Sequence, residues 1–303
     1  MRSYDSGCCF RGSSISHSVR VLWELNTRCN LSCSWCHTKN NARSQLPTSE
    51  VFNGLNLIRQ WGINGVIFSG GEPLLRSDLV DIVKMAFSIG FEVDLCTNAT
   101  LVNSHIASQL GKYLSELSVS LDSGVPEIHD RIRGTKGALK KTVNGIKCLI
   151  GAGIEVHAIT MCCDDNIATI EETIQLLDQL KVHSVTLLGL ISIEGVKTPY
   201  ILSEGKRYAL VQSLPAYRSK YPDIIINTKR IMSFEDAESC GAGKTILGVD
   251  TTGALLPCIL QRENVRSIPL FDLKDIISLE DVLIKFNQSG NDYWKTCLKR
   301  GQP

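Results

Sequence analysis

"SVRVLWELNTRCNLSCSWC" (Ser18–Cys36) joins an apolar, β-rich run to three closely spaced cysteines, Cys29, Cys33 and Cys36. The run reads as a strand and the cysteines as the loop that follows it. The same grammar returns down the chain. "GVIFSGG" (Gly65–Gly71), "FEVDLCTN" (Phe91–Asn98), "ELSVSLD" (Glu116–Asp122), "IEVHAITMCC" (Ile154–Cys163) and "SVTLLGLI" (Ser184–Ile191) are five further strand patterns. Longer helical patterns separate them. In "TSEVFNGLNLIRQWG" (Thr48–Gly62), Thr48 is expected to cap the start and Gly62 to stop the end, with Val51, Phe52, Leu55, Ile58 and Trp61 on one face. "SDLVDIVKMAFSIG" (Ser77–Gly90) repeats this with Ser77 as cap, and "ALKKTVNGIKCLIGAG" and "NIATIEETIQLLDQLK" follow suit. Six strands alternating with helices imply right-handed β-α-β crossovers and a parallel sheet, either open and doubly wound or a partial barrel. In both, ligands gather at the carboxyl ends of the strands.

Beyond the sixth strand the pattern changes. "SEGKRYALVQSLPAYRSKY" (Ser203–Tyr221) is expected to be a helix broken or kinked near Pro215. "TILGVD" and "ALLPC" flank a turn at Thr252–Gly253 and read as a hairpin, before a tail with one helix. The expected division is an N-terminal segment (1–18), an α/β unit (19–232) and a small α+β subdomain (233–303), with a soft boundary near Ser233.

Bulk properties narrow the function classes. Of 303 residues, 43% are hydrophobic and 21% charged, an ordinary globular composition. Lys and Arg total 32 against 31 Asp and Glu, so no charge excess draws in nucleic acid or an anionic membrane. There is neither a long uncharged apolar span nor an apolar signal core, so a cytoplasmic protein is expected. Twelve cysteines are many for such a chain. In a reducing compartment, clustered thiols bind metal or do redox chemistry. A structural zinc site wants four ligands, which His37 would have to complete. A four-iron cluster held by three thiolates keeps one iron open for a substrate or cofactor. Both readings remain at this point, the first as a non-enzymatic zinc or iron–sulfur binding protein.

Other motifs separate them. "GGEPLL" (Gly70–Leu75) ends the second strand pattern, "TNAT" (Thr97–Thr100) the third and "SVSLDSGVPEIHDRIRG" (Ser118–Gly134) the fourth. With Cys-x-x-x-Cys-x-x-Cys after the first strand, this order resembles the radical S-adenosylmethionine (radical SAM) enzymes over roughly Val19–Cys258, and in particular the SPASM and twitch branch with auxiliary clusters. The resemblance implies a partial (β/α)6 barrel with a small twitch-like subdomain. It implies a 4Fe-4S cluster on Cys29, Cys33 and Cys36 whose open iron chelates SAM. Reductive cleavage then gives a 5′-deoxyadenosyl radical that takes a substrate hydrogen. By position, Gly70, Gly71 and Glu72 would meet the SAM amino group and Pro73 would shape the turn. Trp35 would pack near adenine, Asn98, Ser120 and Asp122 would lie near the ribose, and Arg133 would meet the SAM carboxylate. A flavodoxin- or ferredoxin-type electron donor is implied as partner, and neither nucleic acid nor membrane.

Cys240 and Cys258 flank the hairpin, and the resemblance makes them ligands of an auxiliary 4Fe-4S cluster. Only Cys297 remains downstream, too few for a full SPASM domain, so the resemblance implies a twitch domain whose cluster either finds a fourth ligand elsewhere or keeps an open iron. Cys148 reads as core, and Cys96 should face the same side as Asn98. Cys162 or Cys163, ending the fifth strand, is a candidate hydrogen donor to a substrate radical. The implied substrate is a ribosomal peptide or a sugar or aminocyclitol, oxidised or crosslinked on a natural-product route. Redox-neutral epimerisation is the alternative.

Overall fold

A computed structural model describes residues 19–36, 44–190, 201–229, 231, 245–259 and 267–288. Cys8, Cys9, His37, Ser233, Cys240 and Cys297 lie outside them. The six expected strands form: β1 (Arg20–Glu24), β2 (Gly65–Ser69), β3 (Glu92–Thr97), β4 (Glu116–Ser120), β5 (Val156–Cys162) and β6 (Ser184–Gly189). They pair in chain order, all parallel. Between them stand helices α1 (Thr48–Gln60), α2 (Leu79–Ser88), α3 (Ser104–Leu110), α4 (Pro126–Arg133), α5 (Ala138–Gly151) and α6 (Ile170–Gln179).

The sheet then goes further than expected. Helix α7 (Glu204–Lys220) runs unbroken through Pro215, correcting the expected break. It delivers a seventh parallel strand, β7 (Ile225–Lys229), onto β6. On the opposite side, β8 (Ile246–Val249) and β9 (Ala254–Leu256) form the expected hairpin, and β8 pairs parallel with β1. A two-residue β10 (Ile268–Pro269) and helix α8 (Leu279–Gln288) complete the described chain. The order is β10-β9-β8-β1-β2-β3-β4-β5-β6-β7, an α/β sheet that does not close.

Two caps differ from expectation. Pro47, not Thr48, holds the cap position of α1, and Asp78, not Ser77, that of α2. The Thr48 hydroxyl instead donates to Asp78 at 2.5 Å, tying the two helix starts together. Strand alternation sorts the core. Leu95, Leu117, Val119, Ala158, Val185 and Leu187 pack against the helices with α1 residues Val51, Leu55 and Ile58. The other face carries the rows Cys96–Ser118–His157–Ser184 and Ser120–Ile159–Thr186–Asn227. Hence Cys96 and Ser120 stand on this second, more polar face. Among the described residues no helix is long and apolar enough to cross a membrane.

Candidate active site

At the carboxyl ends of β1 to β5, loops press against one another backbone to backbone. The Leu25 amide donates to the Ser69 carbonyl at 2.9 Å and so prolongs the β1–β2 ladder. Gly71 and Glu72 then donate to the carbonyls of Asn26 and Arg28, both at 2.8 Å, while the Asn26 side-chain amide donates to the Glu72 carbonyl at 3.0 Å. A Cβ on Gly71 would lie 2.2 Å from the Arg28 oxygen, so only glycine permits this contact. The glycine turn thus lies directly on the segment that enters the cysteine loop. Pro73 opens a short 3-10 turn after it.

The loop is anchored at its far side too. Ser32 and Ser34 donate to the carbonyls of Arg133 and Ile132, at 3.0 and 3.3 Å, where α4 ends. Gly134 follows in a left-handed conformation (φ 64°), and a Cβ there would lie 2.2 Å from the Ser32 oxygen. Within the loop Cys29 is exposed, Cys33 buried and Cys36 between the two. Burial raises the thiol of Cys29, and the neighbouring Glu72, Cys33 and Cys36 charges add to this. Burial also raises Cys33, with Arg133 pulling against it more strongly than Asp122 pushes.

Glu72 is fully buried. One carboxylate oxygen accepts from the Thr97 hydroxyl at 2.7 Å and the Leu74 amide at 3.1 Å, the other from the Asn98 amide at 2.8 Å. Burial pushes its carboxyl up against these three donors. Its visible work is to join the glycine turn to the end of β3. The Asn98 side-chain amide donates to Asn30 at 3.0 Å, with Cys29 Sγ 3.9 Å away, so Asn98 faces the cysteine loop.

Asp122 and Arg133, read separately from sequence, form one buried unit. Arg133 Nε stands 2.8 Å from Asp122 Oδ2, and the other Asp122 oxygen accepts from the Met161 amide at 3.0 Å. A terminal Arg133 nitrogen donates to Cys33 Sγ at 3.8 Å, and the guanidinium carbon lies 5.3 Å from the Trp35 ring centre. Burial works against the Arg133 charge, but Asp122 and Cys33 outweigh it and raise its proton affinity. Asn166 spans the carbonyls of Asp122 and Met161 at 2.7 and 2.6 Å. His129 Nδ1 accepts from the Asp122 amide at 3.2 Å, and burial, then Arg133, holds its pKa down to about 4, so the ring is neutral near pH 7. Asn26 and Asn166 were given no role by the sequence, and Thr97, His129 and Gly134 stood there only within quoted motifs.

Cys162 and Cys163 part ways, as consecutive strand residues must. Cys162 belongs to the main helix-packed core, whereas Cys163 packs with Ile132 and Met161 in a cluster that Trp35 also joins. Cys148 packs at the edge of the main core. Cys258 is half-buried just after β9.

The donor set suits an iron–sulfur group. Three thiols share one loop, and among the described residues no three Cys, His, Asp or Glu converge on a single ion. In a four-iron cluster each thiolate takes a different iron, so the three thiols need not converge on one ion. The indole Nε1 of Trp35, beside the last cysteine, is buried with no acceptor. A donor of that kind calls for a group brought in from outside.

Comparisons agree with this layout. A model described as the radical SAM superfamily matches residues 23–177. An AdoMet-dependent heme synthase of Methanosarcina barkeri is 34% identical over 53% of this chain and 47% of its own length. The chain spans about half the length of the first such curated relatives. A PqqA peptide cyclase of Rhizobium meliloti is 26% identical over 82% of this chain and 71% of its own. Among solved structures, Streptococcus suis SuiB bound to S-adenosylmethionine superposes with TM-score 0.73 at 18% identity, covering 86% of this chain and 65% of that one. With the family match covering half its length and a three-thiol loop locked onto the glycine turn, this chain belongs to the radical SAM superfamily.

Proposed function

We propose that this chain is a SAM-cleaving oxidoreductase that oxidises or crosslinks a natural-product precursor, with a ribosomal peptide as the favoured substrate. The contact of the glycine turn with the segment entering the cysteine loop, through the Gly71 and Glu72 amides, carries the reading. Bound here, a 4Fe-4S cluster and SAM supply a 5′-deoxyadenosyl radical that removes a substrate hydrogen atom. Cys29, Cys33 and Cys36 would hold the cluster. Gly70 and Gly71 leave backbone free to approach the SAM ammonium, which Glu72 supports by bracing the turn. Ser120, on the polar face at the end of β4, would lie near the SAM ribose. The peptide cyclase relative supports a peptide; a sugar or aminocyclitol is the alternative substrate class.

The division at residue 233 and an auxiliary twitch cluster on Cys240, Cys258 and Cys297 belong to the same proposal. So does a flavodoxin- or ferredoxin-type electron donor. A second reading, redox-neutral epimerisation, is favoured by Cys163, the thiol on the Trp35 side. Cys163→Ala would then cleave SAM without forming epimer, while Cys162→Ala would not.

Iron and sulfide content after anaerobic reconstitution tests the main reading. About four irons per catalytic cluster are expected, with 5′-deoxyadenosine formed on reduction with SAM. Loss of both in Cys29→Ala/Cys33→Ala/Cys36→Ala is expected, and colourless protein holding zinc would overturn it. A further loss of about four irons in Cys240→Ala/Cys258→Ala/Cys297→Ala would support the auxiliary cluster.

A further inference from the structure

Arg133 is engaged on three sides. The residue is 5% exposed, and its side chain meets Asp122, the Cys33 sulfur and the Trp35 face at once. Its own carbonyl accepts from Ser32, so the backbone fixes where the side chain starts. Asp122 fixes where it points, and Asp122 is itself held by Met161, Asn166 and His129. Turning this side chain away to a SAM carboxylate would cost the Asp122 pairing, and leaving that buried carboxylate unpaired is costly.

We propose that Arg133, oriented by Asp122, is a positioning residue for the cluster on Cys29, Cys33 and Cys36, and that its charge and its N–H···S contact with Cys33 raise that cluster's reduction potential. The inference rests on the proposed cluster assignment. Reduction adds one negative charge, and a fixed cation beside a ligand sulfur favours the state that carries it. A hydrogen bond to the thiolate acts in the same direction. Asp122 opposes this, but it meets Nε while a different nitrogen faces the sulfur, so the nearer positive charge dominates. The step affected is a single-electron transfer: a reduced flavodoxin- or ferredoxin-type donor loses one electron and the cluster gains it. Arg133 makes and breaks no bond.

The test is a redox titration followed by electron paramagnetic resonance on the cluster-loaded full chain without SAM. The signal read is the one that SAM perturbs when added afterwards. Arg133→Gln/Asp122→Asn removes both charges and should move the midpoint to a more negative potential, while Arg133→Lys should keep most of the wild-type value. An unmoved midpoint in the loaded double variant overturns the proposal. So does weakened SAM binding at unchanged potential, which would put Arg133 on the SAM carboxylate. Should the variants load no iron, wild type labelled with 15N-guanidino arginine decides by pulsed resonance. A nitrogen coupling that changes with the label is expected, and no such coupling overturns the proposal. Absence of any reduced-cluster signal in wild type would instead defeat the cluster assignment itself.

Discussion

Two arginine–aspartate pairs sit at opposite ends of the sheet and behave in opposite ways. At the carboxyl end, Arg76 holds Asp78 with two nitrogens, at 2.9 and 2.6 Å, and Thr48 adds a third donor. The Asp78 carboxyl falls to about 2, mainly through its hydrogen bonds to Arg76. At the amino end, Arg20 meets Asp94 at 2.7 Å but also Glu92 at 3.2 Å. Burial first, helped by Glu116 and Glu92, pushes Asp94 up to about 7 despite Arg20. A cation 2.7 Å away does not by itself make a stable carboxylate. The number of donors, the access of water and the like charges nearby decide.

Breaking the arginines should separate the two ends most. Arg76 also donates to the carbonyls of Leu25 and Leu46, at 3.0 and 3.1 Å, so it ties β1 to the chain entering α1. Arg76→Met should cost about 3 kcal/mol by urea unfolding, since it strands Asp78 and two buried carbonyls. Arg20→Met at pH 6 should cost roughly 1 kcal/mol, because Asp94 can take up a proton. Equal losses would erase the contrast. Next in size, Glu72→Gln should cost about 1–3 kcal/mol, since an amide NH2 would face one of the donors that the carboxylate accepts from. A neutral result would mean that the turn is braced elsewhere.

The pH dependence sharpens the same contrast with smaller effects. Asp78 is depressed from its ordinary value, so its stabilisation holds above about pH 4 and is lost as pH falls towards 2. Asp94 is raised, so the native state binds the extra proton and stability declines as pH rises from about 4 through 7. Asp78→Asn should flatten the acid limb of a stability profile, and Asp94→Asn the limb approaching neutrality. Swapped limbs would refute the assignment of the two pairs.

The sequence made much of this architecture legible because local signals carried it. Alternation of short β runs with amphipathic helices set the parallel order, and the turn at Thr252–Gly253 announced the hairpin. What went unread depended on long-range register. Strand β7 hides behind a helix that contains Pro215 and is only five residues long. Nothing local in "TILGVD" announces a parallel partner at Val21, which the register supplies. The site was legible as a set of residue types and not as a set of contacts. Cys33 and Arg133 are one hundred positions apart, and no spacing rule joins them. The burial of Glu72 likewise depends on β3 lying beside β2.

The pairing of β8 with β1 has a consequence for synthesis. β1 gains its β2 neighbour soon after emerging from the ribosome, but its other edge waits for residues 246–249. Through most of translation that edge is a bare ladder of amides and carbonyls, open to pairing with another chain. The strand that leads into the cysteine loop is thus among the last to be sealed.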